Sequence, residues 1–177
     1  MKLTHMFAVV CFLLGIASAQ AANIPVHIQQ ELPDARLSGQ GAFRWFGLKI
    51  YDATLWVGEN GYQDASAKFI LNLSYARELY GEKIAEASMD EIRELGMGSG
   101  GQQQAWLDKM KALFPDVREG SQISGVYLPG QAARFYLDGK LLGEINDAEF
   151  ARAFFAIWLD PRTRASGLRK QLLANQP

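Results

Sequence analysis

The segment GAFRWFGLKIYDATLWV, Gly41 to Val57, sets one guanidinium between two aromatic side chains, with Arg44 following Phe43 and preceding Trp45. Its only other charges are Lys49 and Asp52, and the rest has the apolar character of two strands. A cation among aromatic rings has to reach water or meet an anion, because an unpaired buried charge costs several kcal/mol. Asp52, Glu78 and Glu82 are the internal acids that would make Arg44 structural. If none of them pairs with it, Arg44 either points into water or meets an anion from outside, and in the second case it is a ligand-binding residue.

Other chemistry is thinly supplied. The chain has one cysteine, Cys11, and two histidines, His5 and His27. That set cannot build a thiolate or imidazole metal centre, and a Ser-His-Asp arrangement would rest on His27 alone. His27 reads as an ordinary surface or strand residue. Gly39-Gln40-Gly41 is a G-x-G with no helix behind it to present its N-terminus to phosphate, so it marks a strand bend or bulge. Asp90, Glu91, Arg93 and Glu94 form a solvated helix face, and Asp160 with Arg162 and Arg164 is helix-end chemistry. Most hydrolase and metalloenzyme readings fall away, and no metal or cofactor is expected.

The first residues, MKLTHMFAVVCFLLGIASAQAAN, have the layout of an export signal: Lys2, an apolar run from Met6 to Ile16, then Ala17-Ser18-Ala19. The expected signal spans 1–22, with cleavage after Ala19, Ala21 or Ala22. The run is shorter than the roughly 20 residues a bilayer span needs, and no stable membrane insertion is expected once it is removed. The product would be exported, and periplasmic in a Gram-negative host. Its single domain, 23–177, would hold about 155 residues and bury roughly 70% of its unfolded surface. The formal charge of −1 becomes −2 when Lys2 leaves. With charges spread evenly and no basic patch, no nucleic-acid partner is expected.

Around these residues the periodicity predicts strands at Arg36–Phe46, Leu48–Val57 and Lys68–Tyr75, with a turn at Gly47. A helix follows, with Tyr80, Ile84, Ala87, Ile92 and Leu95 on its inner arc, then a loop from Gly96 to Gln104. A second helix presents Trp106, Leu107, Met110, Leu113 and Phe114 inward. Three further strands are marked by Pro129-Gly130 and Asp138-Gly139 turns. A helix capped by Asn146 and Glu149 buries Phe150, Phe154, Ile157 and Trp158, and a last one carries Leu168, Leu172 and Leu173. The order argues for an α+β fold, an antiparallel sheet with helices on one face.

Four pieces, GQGAFRWFGLKIYDATLWV, LYGEKIAEASMDEI, GKLLGEINDAEF and FARAFFAIWLDPRT, together resemble the chalcone isomerase-like superfamily, and its small exported bacterial branch in particular. The resemblance implies a large antiparallel β-sheet covered by a layer of helices, an open-faced β-sandwich, with the ligand cleft between them. The superfamily contains enzymes that close a chalcone to a flavanone and relatives that bind fatty acids. Ring closure needs a cation for the phenolate, donors to polarise the ketone and a cleft that imposes attack geometry. The family's arginine corresponds to Arg44, and the tyrosine opening its Y-x-E-K helix to Tyr80. The family's asparagine is Ala87 here, its strand threonine falls at about Tyr51, and its late helix hydroxyl falls near Ile157. Tyr75, Arg77 and Ser88 lie in the same region and read as structural.

Two polar anchors kept and up to three lost fit a binding member better than an enzyme. The expectation is an exported, non-catalytic protein that binds a fatty acid or another small amphipathic anion, a carboxylate being the natural head group. Arg44 and Tyr80 would hold that group, and Tyr51, Ser88, Phe46, Ile84, Phe154 and Trp158 would contribute to the cleft. The alternatives are an isomerase of the intramolecular lyase type and a periplasmic interaction protein with a filled cleft. Protein partners are left open.

Overall fold

The computed structural model describes residues 24–64 and 66–175, and the expected signal segment lies outside them. The element order is α1 (Val26–Glu31), β1 (Arg36–Trp45), β2 (Leu48–Val57), β3 (Phe69–Tyr75), α2 (Gly81–Glu94), α3 (Gly100–Leu113), β4 (Gln122–Leu128), β5 (Ala132–Leu137), β6 (Lys140–Ile145), α4 (Ala148–Leu159) and α5 (Ser166–Leu172). The six strands form one antiparallel sheet in sequence order, β1 to β6. This is the expected α+β sheet, with strand bounds within a residue of those the periodicity gave.

Alternation sorts the side chains between the two faces. Tyr51, Ala53, Leu55 and Val57 of β2 and Phe69, Leu71, Leu73 and Tyr75 of β3 pack into the main core. That core lies beneath the helical layer, where α4 inserts Phe150, Phe154, Phe155 and Trp158 against Phe135. Trp56, Ile70, Val126 and Leu128 face the other way and pack on Ile28 and Leu32. Helix α1, which the periodicity did not reveal, therefore covers part of the second face. At six residues it is too short to show an amphipathic repeat.

Beta1 is held by α5 at close range. A Cβ on Gly39 would lie 2.0 Å from the Gln171 carbonyl oxygen, and one on Gly41 would lie 2.0 Å from Gln171 Oε1. Ser38 Oγ donates to the Leu172 carbonyl at 2.8 Å. The G-x-G thus serves backbone approach, and a register shift between Leu37 and Gly39 supplies the expected bulge.

Three local readings are corrected. Alpha2 buries Gly81, Ala85, Ser88, Met89 and Ile92, so its inner arc is rotated from the expected one: Tyr80 is the N-cap residue and Ala87 is exposed. Alpha3 begins at Gly100, within the expected loop, because Ser99 and Gln102 form a capping box. Asp147 rather than Asn146 caps α4, its side chain accepting from the Phe150 N–H.

Candidate functional site

The β1–β2 hairpin carries Arg44 to one end of the sheet. Trp45 pairs with Leu48, leaving Phe46-Gly47 as a two-residue turn with φ of 46° and 80°. Both values are positive, the geometry of a type I′ turn. Phe43 points into the core, where it stacks on Tyr51 at 5.1 Å, and Arg44 is exposed. Its Nη1 reaches only the Gly47 carbonyl, at 3.4 Å.

None of the expected internal acids neutralises Arg44. Asp52 is taken by Lys49 at 2.5 Å and Glu82 by Lys111 at 2.7 Å. No carboxylate lies within ion-pair distance of Arg44 among the described residues. Beside this cation, Trp45 is 57%, Phe46 89% and Leu48 53% exposed. Tyr80 is also exposed, at 63%, instead of contributing its ring to the core.

Between α4 and the middle of the sheet little space remains, whereas a shallow groove of about 420 Å³ lies between α3 and β6, lined by Lys109, Leu113 and Glu144. The cavity beneath α4 is about 20 Å³, lined by Leu71, Leu73, Ile123, Gly125, Phe135, Phe154, Phe155 and Trp158. That is room for about one water, whereas small-molecule sites usually offer roughly 300 Å³ or more. Phe46 is therefore not part of one wall with Phe154 and Trp158, which are buried. Ile84 packs partly against the main core, and Ser88 Oγ donates to the Ile84 carbonyl at 2.8 Å.

Tyr51 is engaged as well: its hydroxyl accepts from the Trp158 indole N–H at 2.9 Å. Burial pushes the Tyr51 hydroxyl pKa well above its ordinary value, and burial does the same to Tyr75. Neither phenol is poised to exchange protons near neutral pH. Ala87 on the exposed face of α2 and Ile157 in the core supply no donor to the cleft. Arg77, on the segment leading to α2, has its Nε buried without a hydrogen-bond partner.

The second face holds a polar chain that was not anticipated. His27 Nε2 lies 2.8 Å from Ser124 Oγ, Ser124 donates to Asn72 Oδ1 at 2.7 Å, and Asn72 Nδ2 donates to Gln122 Oε1 at 3.2 Å. Since Ser124 spends its proton on Asn72, His27 is the donor to Ser124, the reverse of nucleophile activation. Burial lowers the His27 pKa, with Glu31 opposing in part, which favours that neutral donor. Glu31 accepts from Arg134 Nη1 at 2.7 Å and from the Tyr136 hydroxyl at 2.5 Å, tying α1 to β5. A structural role accounts for the network.

A six-stranded antiparallel sheet in sequence order, covered on one face by a helical layer, defines a chalcone isomerase-like architecture. The family model described as Chalcone isomerase-like matches residues 17–174, and the chain belongs to that family. It is 30% identical over 135 residues to an uncharacterized protein of Haemophilus influenzae. That alignment takes in 76% of this chain and 66% of the relative, so the chain spans slightly under two thirds of the relative's length. Among solved structures it resembles the Arabidopsis thaliana fatty-acid binding protein AtFAP1, with a TM-score of 0.66 and 14% identity. The likeness covers 81% of this chain and 88% of the plant protein, and at that identity it speaks to fold.

Proposed function

We propose that this protein is an exported, non-catalytic binder of a fatty acid or similar amphipathic anion, met at the hairpin end of the sheet. The observation that carries the reading is Arg44, a guanidinium with no carboxylate in ion-pair distance among the described residues, set among exposed Trp45, Phe46 and Leu48. A charge-assisted contact from Arg44 would hold a carboxylate, and the neighbouring apolar side chains would cover the start of its chain. Tyr80, exposed at the head of α2, is available to add a hydroxyl donor. Ring-closing catalysis is the weaker reading, since it needs a substrate-sized cleft and donors at the positions held by Ala87 and Ile157.

The test is titration of the folded protein with a monomeric long-chain fatty acid by calorimetry, alongside mass spectrometry of lipid that co-purifies. Arg44→Ala should weaken binding by about tenfold or more, the loss of one hydrogen-bonded charge contact. Equal affinity in the variant, or no uptake by the wild type, would sink the proposal.

A further inference from the structure

Two tight hairpins in this sheet use the same turn geometry with very different residues. Asp138-Gly139 joins β5 to β6 with φ of 48° and 80°, and Phe46-Gly47 joins β1 to β2 with 46° and 80°. Aspartate tolerates the left-handed region because its short polar side chain bonds locally, but a bulky aromatic residue there is strained. Phe46 gains nothing in the fold from that strain, being 89% exposed, and a Cβ added to the next residue, Gly47, would meet nothing within 4 Å. Its one aromatic neighbour is Trp45, edge-on at 5.1 Å and itself exposed. Strain retained at a side chain that faces away from the core points to a role outside the folded chain.

We infer that the tip from Arg44 to Lys49 docks shallowly on an anionic lipid surface, with Trp45, Phe46 and Leu48 entering the headgroup boundary. The composition fits: Trp favours that boundary, Phe and Leu favour the acyl side, and a flanking cation meets an anionic headgroup. Lys49 shares its charge with Asp52, so Arg44 is the cation left for a headgroup. The shape fits too. The tip is a convex turn, and its three apolar side chains expose on the order of 400 Å², about half of what each partner buries in a stable protein complex. A soft, extended surface suits it better than a second copy of the chain.

The inference uses the same hairpin as the binding proposal but needs no fatty-acid site, and one set of experiments separates the two. Of the four tryptophans only Trp45 is exposed, so a change in emission reports the tip. Phosphatidylcholine vesicles containing phosphatidylglycerol should pull the protein down on sedimentation and shift Trp45 emission to the blue. Brominated acyl chains should quench it, and salt should weaken the association. Phe46→Asn restores the favoured Asn-Gly turn, so this variant should fold at least as stably while losing vesicle affinity about tenfold or more.

Vesicle binding that Phe46→Asn leaves unchanged overturns the inference, as does fatty-acid uptake by a protein that ignores vesicles. Docking without fatty-acid uptake supports it and removes the binding proposal instead. A blue shift that tracks protein concentration without lipid, with a doubled mass in light scattering, assigns the tip to self-association and overturns lipid docking.

Discussion

Replacing Tyr51 with Phe would remove the acceptor of the Trp158 indole N–H, bonded at 2.9 Å beneath the helical layer. A buried donor left unpaired costs about 1–3 kcal/mol, so Tyr51→Phe should lower the urea unfolding free energy by that amount with an unchanged slope. A loss under about 0.5 kcal/mol would mean that water satisfies the indole and the pair contributes little. The pair also shows where reading single residues stops. Strand alternation makes it legible that Phe43 faces inward and Arg44 outward, but not that Asp52 and Glu82, two of the acids expected to neutralise Arg44, pair with lysines instead. Tyr80 is harder still, because one residue of uncertainty in a helix start turns the inner arc by about 100°. A ring expected in the core instead stands exposed at the N-cap position of the helix.

Elements with a strong repeat or a marked turn were legible to within a residue or so: β2 and β3, the Asp138-Gly139 hairpin and α4. Alpha1 was not, since its attachment rests on long-range partners. His27 reaches Ser124 across 97 positions and Glu31 reaches Arg134 across 103. That attachment should respond to acid. The folded His27 pKa is lowered from 6.5, mainly by burial. The unfolded chain therefore takes up a proton first, and stability present above pH 6.5 is lost as pH falls towards the lowered value. Burial alone would raise the Glu31 pKa, but hydrogen bonds from Tyr136 and Arg134 lower it on balance from 4.5. Its contribution persists above pH 4.5 and is lost on further acidification. Urea midpoints should thus fall between pH 7.5 and 5.5, and His27→Gln should flatten that slope while keeping a donor to Ser124. An equal slope in the variant would place the titration elsewhere.

At the scale of the whole molecule, the aromatic side chains fill the space between α4 and the sheet. The sequence is rich in aromatics, with ten Phe and four Trp, and that number suits either a packed core or the wall of a pocket. Only their mutual placement decides between the two. Phe154 meets Phe114, Phe135, Phe150, Phe155 and Trp158, with ring centroids 5.2 to 5.9 Å apart, and the cluster leaves about 20 Å³ empty. If these rings are close-packed, Phe154→Ala should cost about 3–5 kcal/mol, the lost transfer free energy plus the cavity left behind. The variant should then take up a small apolar probe such as benzene, as dry engineered cavities do, and regain part of its stability in the probe's presence. Chemical denaturation with and without the probe measures both effects. A cost below about 1 kcal/mol would mean the rings part easily. An acyl chain could then enter between sheet and helices, and the ligand would belong in the interior rather than at the hairpin.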